Sequence, residues 1–498
     1  MHPTPHPIEP GPPGTGHLPK ALLDELRFRA DPLADATIAR ILGPWAETLE
    51  GADAAELIDR QQPRWQRLEA VTRAFAGWAC NADVQAWRPP ADLPRDIAAA
   101  LVDYLSGACT LPTWADAALI ARAEQVFFEH GPLSCALLFC ASLPECYVVP
   151  DLAEVLHATG QLEQRTEYRV RSTAAMVFPV MMRGGLATPQ GGGVAQVLKV
   201  RLIHATVRNL LLRGEPAQAV AALSASGPER AAAGAGFVEP LAALRGTPHM
   251  HHALYAHGWK LGDDGLPCNQ EELAYTLLTF GYVFLRGLRT LGLGLSAHDE
   301  AATLHAWNVM ASLVGVEERL MAHTMAEAEA LFAQLQARGR ADRVAPDPRA
   351  PLGRALMRTL ADAIPLGAAK SFPLLLSREL CGAATSRDIG IDGASLPVPW
   401  TARALFGCIR LAVRGIDALG RCFSPEFSIT RTCVRMLGYH FVSRLLMDQT
   451  RPLKLPEPVR SQVRRTMAAW GHDPRAPRWL NTLEDGFTVK GQWDASPR

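Results

Sequence analysis

Apolar residues recur at helical spacing along almost the whole chain, whereas runs of alternating β-branched residues are nearly absent. A spacing of three and four residues places apolar side chains on one face of a helix, while a half-buried strand needs a spacing of two. The Ala-rich stretches 115–128 and 323–337 add Glu, Arg, Gln and Leu, which favour helix. Gly-rich and Pro-rich segments punctuate the helical ones, as at 184–193. The sequence therefore predicts an all-α protein.

The helical patterns divide the 498 residues into regions. We predict a disordered arm over 1–16, which is rich in Pro, Gly and His, and an N-terminal helical region over 17–115. A core region follows over 116–340, and a C-terminal helical region over 341–498 is expected to pack on that core. Within the core, 214–266 resembles a long irregular connection with its own short helices.

Charge balance and cysteine spacing argue against several classes of partner and site. Lys plus Arg and Asp plus Glu number 50 each, which argues against a general electrostatic hold on nucleic acid or an anionic membrane. No run of roughly 18 uncharged apolar residues occurs, and no secretory or twin-arginine signal is visible. We therefore expect a cytoplasmic protein without a transmembrane segment. The ten cysteines are dispersed without a CxxC pair, which indicates free thiols rather than a disulfide scaffold or a zinc site.

Motifs typical of hydrolases, kinases and zinc proteases are absent from the sequence. The Gly191–Gly193 cluster lacks the lysine and the preceding strand that a phosphate-binding loop needs. Four imidazoles lie within nine residues, at His249, His251, His252 and His257, and such a group can bind a metal. No carboxylate or cysteine is spaced to complete a recognisable ligand shell, so a surface loop with incidental histidines is the favoured interpretation.

One histidine stands between two arginines on a segment, 194–213, that we predict to be a single long helix. Arg201, His204 and Arg208 fall within about 60° of one another at 100° per residue. Apolar neighbours turn this stripe inward, where an imidazole and two guanidinium groups are costly unless something pairs with them. A haem pairs with all three, through its iron and its propionates. A core histidine bonded to a backbone carbonyl, with the arginines reaching outward to acids, fits the same pattern.

A second segment places a guanidinium and a hydroxyl at the edge of an apolar wall. Arg169 and Thr173 are one helical turn apart and so share a face. This composition is typical of a small-molecule pocket, and it suits the orientation of dioxygen above a metal. An ordinary salt-bridged helix start explains the same two residues. The predicted apolar wall consists of Met176, Phe178, Met181 and Met182.

An ordered set of segments resembles the MpaB-type and rubber oxygenases, which include the latex-clearing proteins. Lys199–Arg208 resembles the haem-ligand helix of that family, and Pro267–Phe280 resembles its Asn-Gln-Glu segment. The resemblance covers roughly residues 120–320, and weaker matches follow it. The other matching segments are Phe128–Pro132, Ala141–Tyr147, Val155–Leu162, Arg169–Thr173, Leu288–Leu293, His305–Trp307, Leu313–Val316, Arg378–Gly382 and Met436–His440.

The resemblance implies a helical, globin-like core that holds haem b, with extra peripheral helices. His204 matches the proximal iron ligand of the family. Arg201 and Arg208 match arginines close to the haem, and Thr276 and Thr279 are carried over as cofactor-binding residues. These roles follow from the resemblance and are expectations for this chain.

On the distal side, the resemblance implies roles for Arg169 and Thr173, and it places Glu154 near the position of the family's catalytic acid. Ser172 stands where a lysine can cap the iron in latex-clearing proteins. A serine hydroxyl cannot replace that amine, so the resemblance implies a resting iron that is open or bound to water.

Three functions compete at this point. The leading hypothesis is a haem-dependent oxygenase that uses O2 to cleave a carbon–carbon double bond of an apolar substrate of the isoprenoid kind. The second is a non-catalytic haem-binding gas sensor or carrier, and the third is a helical protein in which His204 is structural. The absence of a visible export signal argues against a polymer such as rubber, which cannot enter the cell. The sequence leaves the substrate and the oligomeric state open.

Overall fold

A computed structural model shows how the chain is arranged. It describes residues 17–45, 54–150, 153–155, 166–225, 237–239, 241, 249–342, 344–422, 427–446, 464, 473 and 475–487. Regular structure within these ranges is almost entirely helical, which confirms the predicted all-α class. The two strands in these ranges, β1 (Phe237–Val238) and β2 (Trp259–Lys260), pair antiparallel.

The helices are numbered in chain order. The first nine are α1 (Lys20–Leu26), α2 (Pro32–Leu42), α3 (Ala54–Arg60), α4 (Gln62–Ala74), α5 (Asn81–Gln85), α6 (Arg95–Ala108), α7 (Ala117–His130), α8 (Pro132–Leu137) and α9 (Leu143–Cys146). The next seven are α10 (Thr166–Met181), α11 (Gly193–Leu211), α12 (Pro216–Ala225), α13 (Met250–His257), α14 (Leu261–Asp264), α15 (Gln270–Phe280) and α16 (Tyr282–Thr290). The last seven are α17 (Ala297–Val314), α18 (Met325–Ala341), α19 (Arg349–Asp362), α20 (Phe372–Asp388), α21 (Trp400–Arg421), α22 (Ile429–Phe441) and α23 (Arg478–Phe487).

Shorter turns of tighter or wider helix join these elements. Turns of 3₁₀ helix span Phe75–Gly77, Glu318–Leu320 and Gly367–Ala369. Two π-helical turns, Leu138–Ser142 and Val442–Leu446, continue α8 and α22 respectively.

Helix α11 occupies the centre of the region that holds the predicted site. Helices α2, α10, α13 and α17 all pack against it. Three of its leucines, Leu198, Leu202 and Leu210, have no accessible surface. Burial of a leucine side chain stabilises a fold by about 1.5–3 kcal/mol, so the apolar faces of α11 fix its position among four neighbours.

The C-terminal part of the chain contacts the core closely where α22 crosses α8. A methyl group at Gly438 would lie 1.7 Å from the carbonyl oxygen of Pro132, so only glycine permits this approach. The arm predicted over 1–16 lies outside the described residues. The predicted connection 214–266 contains α12, α13, α14 and both strands, as far as the described residues show.

No single helix in the described ranges has the length and apolarity needed to cross a membrane. One sharply bent pair, Ala117–His130 with Pro132–Cys146, passes that test by length and composition alone.

Candidate functional site

The arginines on α11 pair with two aspartates of α2. Arg201 donates from Nη2 to Asp31 Oδ1 at 2.8 Å and also from Nε to Asp31 Oδ2. Arg208 donates from Nε to Asp35 Oδ1 at 2.7 Å and from Nη1 to the Cys268 carbonyl at 3.0 Å. Both aspartates are buried. The two helices are therefore joined by two buried, charge-assisted contacts, which are about one turn apart on α2 and about two turns apart on α11.

The two arginines differ in how fully these contacts use them. All three nitrogens of Arg201 are engaged, since its Nη1 donates to the Leu313 carbonyl at 3.1 Å. Arg208 has no accessible surface, and its Nη2 has no hydrogen-bond partner within the described ranges. The sequence predicts that both arginines bind the propionates of a haem, with acidic side chains of the protein as the alternative partners. In the structure Arg201 binds the carboxylate of Asp31. Arg208 binds Asp35, and its shielded Nη2 remains without a hydrogen-bond partner among the described residues.

Asp31 has a second role, as the cap of α2. Its side chain accepts from the Ala34 amide at 3.3 Å, and Pro32 begins the helix. Asp35 lies one turn further along, where burial raises its pKa to about 6 although Arg208 acts in the opposite direction. Neither acid was predicted as part of the site, because an Asp-Pro start of a helix looks like ordinary capping.

Two of the segments that resemble the oxygenase family clamp this arrangement. Gln270 donates from Nε2 to the Ala30 carbonyl at 2.6 Å and to the Gly315 carbonyl at 2.7 Å. Gly315 ends α17 in a left-handed conformation, with φ of 94°. A methyl group there would lie 2.6 Å from Asp31 Oδ2, so only glycine leaves room for the pair between Asp31 and Arg201. The segments that contain Gln270 and Gly315 therefore hold Asp31 in place, and Asp31 in turn binds Arg201 of α11.

His204 lies on the same side of α11, between the two ion pairs. Its Nδ1 is shielded from solvent and has no hydrogen-bond partner in the described part of the chain. Desolvation first, and then the charge of Arg208, lower the pKa of His204 to about 4. The residue as a whole nevertheless keeps some accessible surface. At neutral pH the ring is uncharged, which is the form that ligates metals.

Thr173 stands on α10, the helix that packs against α11. It is half-buried, as is Met176 three residues later, and Ser172 is exposed. Arg169 belongs to the same helix, but its side chain lies outside the described residues. The face of α10 that carries Thr173 and Met176 is thus accessible within a largely buried helix.

The predicted apolar wall is mostly core. Phe178, Met181 and Met182 are buried, and the ring of Phe178 meets that of Phe127 edge-on at 5.9 Å between centroids. Only Met176 among the four predicted wall residues keeps appreciable accessible surface. For three of the four residues, the apolar spacing along α10 therefore reflects packing in the core rather than the lining of a pocket.

Glu154 has an imidazole partner that sequence reasoning did not foresee. Its Oε1 lies 3.1 Å from His257 Nε2, and both side chains are partly exposed. His257 ends α13, a helix that packs against α11. The partner of the expected catalytic acid thus stands on a helix that packs against α11, the helix of the expected iron ligand.

The other predicted cofactor-binding residues, Thr276 and Thr279, stand on α15. Thr279 is buried, and its hydroxyl donates to the Thr276 carbonyl at 2.6 Å and lies 2.9 Å from Cys146 Sγ. Thr276 is half-buried. The hydroxyl of Thr279 therefore already serves contacts within the fold.

The histidine-rich run folds as helix α13 rather than as the predicted surface loop. His252 packs on Trp65, with 4.9 Å between ring centroids, and on His249 at 5.1 Å. Desolvation lowers the pKa of His251 to about 4. No group of three or more His, Cys, Asp or Glu side chains that could hold a metal ion occurs among the described residues. The ring of His252 thus packs α13 against α4.

Comparison with known proteins shows the family to which this chain belongs. The model of the family "ER-bound oxygenase mpaB/B'/Rubber oxygenase, catalytic domain" matches residues 135–418, which include Glu154, Thr173, His204 and Thr276. The chain belongs to this family.

Two members of the rubber-oxygenase branch illustrate the relationship. A rubber oxygenase of Streptomyces sp. (strain K30) is 23% identical over 310 residues, which are 61% of this chain and 65% of that relative. The structure of a latex clearing protein in the closed state shares the fold, with a TM-score of 0.52 and 18% identity. That match covers 89% of this chain and 90% of the other. The resemblance first drawn from short segments is thereby confirmed as family membership.

Proposed function

We propose that this chain is a haem b-dependent oxygenase that uses O2 to cleave a carbon–carbon double bond of an apolar substrate. The observation that carries the proposal is His204, a histidine of the oxygenase domain whose shielded Nδ1 has no hydrogen-bond partner among the described residues and whose pKa burial lowers to about 4. Family membership supports the reaction class. In a balanced form of that reaction, an alkene and O2 give two carbonyl groups, and each carbonyl takes one oxygen atom.

The residues around His204 fit a haem. An imidazole that is uncharged at neutral pH is the donor that haem iron requires. The shielded Nη2 of Arg208 is a cationic donor near that imidazole, suited to a propionate. Arg201, which is fully engaged with Asp31 and α17, is a residue that positions α11. Haem, when bound, supplies the dioxygen and electron-transfer chemistry that side chains lack.

The protein's own groups have separate tasks in this proposal. Glu154 holds or moves a proton at its carboxylate, beside the His257 ring. The Thr173 hydroxyl is a hydrogen-bond donor on the helix packed against that of His204, and Met176 adds apolar surface next to it. Arg169 is assigned to the same face of α10 by its spacing from Thr173.

Absorption spectroscopy of the purified protein tests the haem assignment directly. We expect a Soret band in the wild type and its loss in His204→Ala, because the substitution removes the iron ligand. His298→Ala is the control, since His298 is an exposed histidine of α17. A wild type without haem after reconstitution, or a His204→Ala variant with an unchanged spectrum, contradicts the assignment.

Turnover separates the oxygenase from a gas sensor or carrier. The haem-loaded protein is incubated with squalene, an apolar isoprenoid alkene, under ¹⁸O2, and carbonyl products are analysed by mass spectrometry. An oxygenase places one labelled oxygen atom in each carbonyl fragment. Reversible binding of O2 without carbonyl products from any of a panel of alkenes contradicts the oxygenase and favours the sensor.

A further inference from the structure

Helix α21 (Trp400–Arg421) presents a broad apolar face to solvent. Eleven large apolar side chains are exposed within the described residues, and six of them belong to this one helix. The three most exposed of the six are Leu411 at 77%, Trp400 at 73% and Leu419 at 68%. An exposed apolar patch of this kind marks an interaction surface, because single scattered apolar residues are the ordinary case.

The six side chains form one continuous face. At 100° per residue they occupy about half of the helix circumference. The helix has 22 residues and is therefore about 33 Å long at 1.5 Å per residue. The remaining exposed apolar residues of this face are Leu405, Ile409 and Ile416.

A stripe of four arginines runs along one flank of the apolar face. Arg403, Arg410, Arg414 and Arg421 fall within about 40° of one another on the helix, and all four are exposed. The only acidic residue of the helix, Asp417, is buried and accepts hydrogen bonds from the start of α22. The exposed surface of α21 is thus apolar and cationic, without an acid of its own.

One neighbouring carboxylate partly neutralises the stripe. Glu379 accepts from Arg410 Nη1 at 2.9 Å and from Arg414 Nη2 at 3.0 Å. Both arginines remain about half exposed despite this contact. One acid shared by two arginines leaves the stripe with a net positive charge.

We propose that α21 lies on the surface of an anionic lipid bilayer, with its apolar face among the acyl chains. A helix of low overall hydrophobicity with Trp and Leu on one face and arginine beside that face is suited to bind in the plane of a membrane interface. Anionic headgroups complement the arginine stripe, because the one neighbouring carboxylate, Glu379, does not neutralise its charge. This mode of binding does not require a membrane-spanning helix, and it is independent of the oxygenase activity.

A second copy of the chain is a less suitable cover for this face. In an antiparallel pair of α21 helices related by two-fold symmetry, the same surface of each copy meets. The arginine stripes of the two copies would then lie side by side. Contacts between like charges are destabilising. The overall charge balance, 50 basic and 50 acidic side chains, predicts no general hold on an anionic membrane, but it conceals this local concentration of arginine.

Vesicle flotation with the full chain tests the proposal. The wild type is expected to float with phosphatidylglycerol–phosphatidylcholine vesicles at low salt and to stay behind with phosphatidylcholine alone. The double variant Leu411→Glu, Leu419→Glu should bind the anionic vesicles at least about tenfold more weakly than the wild type, because it would have to bury two charges in the acyl region. Leu366→Glu, at a residue that is 52% exposed elsewhere on the molecule, is the matched control and should bind like the wild type.

A fluorescent label reports whether α21 itself contacts the lipid. Cys408 is exposed near the middle of the apolar face, and Cys422→Ser removes the exposed cysteine beyond the helix. A polarity-sensitive dye on Cys408 should shift to the blue when anionic vesicles are added. Absence of binding, equal binding to uncharged vesicles, or a dimer that Leu411→Glu dissociates without any vesicle binding would overturn the proposal.

Discussion

Glu154 Oε1 and His257 Nε2 lie 3.1 Å apart, within hydrogen-bonding distance, although the two residues are 103 positions apart in the chain. Each side chain is only about a quarter exposed. An imidazole that donates a hydrogen bond to a carboxylate restricts the rotamer of the carboxylate side chain. It can also exchange a proton with the carboxylate. If Glu154 acts on the substrate, His257 is the residue that positions it.

A double-mutant cycle measures this relationship. We expect His257→Ala to lower kcat by about tenfold to a hundredfold with little change in KM, since a misplaced acid or base loses part of a 10²–10⁴-fold contribution. In a Glu154→Gln background the same substitution should have no further effect, because the group it positions is gone. His249→Ala, at the other end of α13, is the control. An equal loss of kcat in both backgrounds would mean that His257 supports the fold rather than Glu154.

The ion pair between Arg208 and Asp35 predicts a loss of stability that does not depend on haem. Arg208→Ala leaves a buried carboxylate without its partner, which typically costs about 3–5 kcal/mol in the free energy of unfolding. Chemical denaturation of the haem-free protein measures this cost. Arg40→Ala, which breaks the exposed contact with Asp103, should cost about 1 kcal/mol or less.

The same variant then tests the propionate role of Arg208. If its shielded Nη2 also binds a propionate, Arg208→Ala should release haem faster than the wild type under conditions where both proteins remain folded. Equal rates of haem release to an acceptor protein would confine Arg208 to the pair with Asp35.

The stripe on α11 could be read from sequence, but the groups that face it could not. Helical spacing alone places Arg201, His204 and Arg208 on one side, and the structure agrees. Asp31 and Asp35 are more than 160 residues away, and near the start of a helix such acids look like capping residues. Only the packing of α2 on α11 shows that they complete the stripe.

The predicted apolar wall is a different case, because the pattern is real but three of its four residues belong to the core. Met- and Phe-rich helical spacing is equally typical of a pocket and of a core, and only the packing partners distinguish them. Phe178 meets Phe127, so its side chain is structural. The histidines of α13 are predicted to lie in a loop because no further metal-binding side chains are spaced to complete a site, whereas in the structure they belong to a helix whose packing includes the ring contact between His252 and Trp65.

Buried His130 predicts a loss of stability in mild acid. Its Nδ1 lies 2.9 Å from the Val126 carbonyl, and desolvation lowers its pKa to about 4. Between about pH 6.5 and pH 4 the unfolded chain therefore binds a proton that the folded chain does not, so stability falls as the pH falls. One such group contributes a slope of up to about 1.4 kcal/mol per pH unit.

The slope is measured by comparison, because other groups act against it. Asp35, with its pKa raised to about 6, binds a proton in the folded state first and opposes the trend over part of the same range. His130→Gln should reduce the slope of the unfolding free energy against pH between pH 6.5 and 4 by up to about 1.4 kcal/mol per pH unit, which corresponds to one proton. An identical pH dependence in wild type and variant would show that His130 titrates alike in both states.

The last prediction concerns the accessible face of α10. If the Thr173 hydroxyl faces the cofactor on the side opposite His204, its removal should lower turnover and leave haem content unchanged. A preorganised donor contributes about 3–4 kcal/mol in the transition state, which is roughly a hundredfold to a thousandfold in rate. Thr173→Val keeps the branched shape and removes only the hydroxyl. Thr359→Val, at a half-buried helical threonine whose hydroxyl donates to the Ala355 carbonyl, is the matched control for loss of a hydroxyl.

A spectroscopic companion makes the same test without turnover. Ser172 is exposed on α10 next to Thr173, and Ser172→Lys places a long, flexible amine on that side of the helix. If this side reaches the open iron position, the amine should ligate the iron and shift the absorption spectrum of the ferric protein toward a six-coordinate low-spin form. Raising the pH should strengthen the shift, because only the uncharged amine is a ligand. Unchanged turnover in Thr173→Val together with an unchanged spectrum in Ser172→Lys would mean that this face of α10 is turned away from the haem.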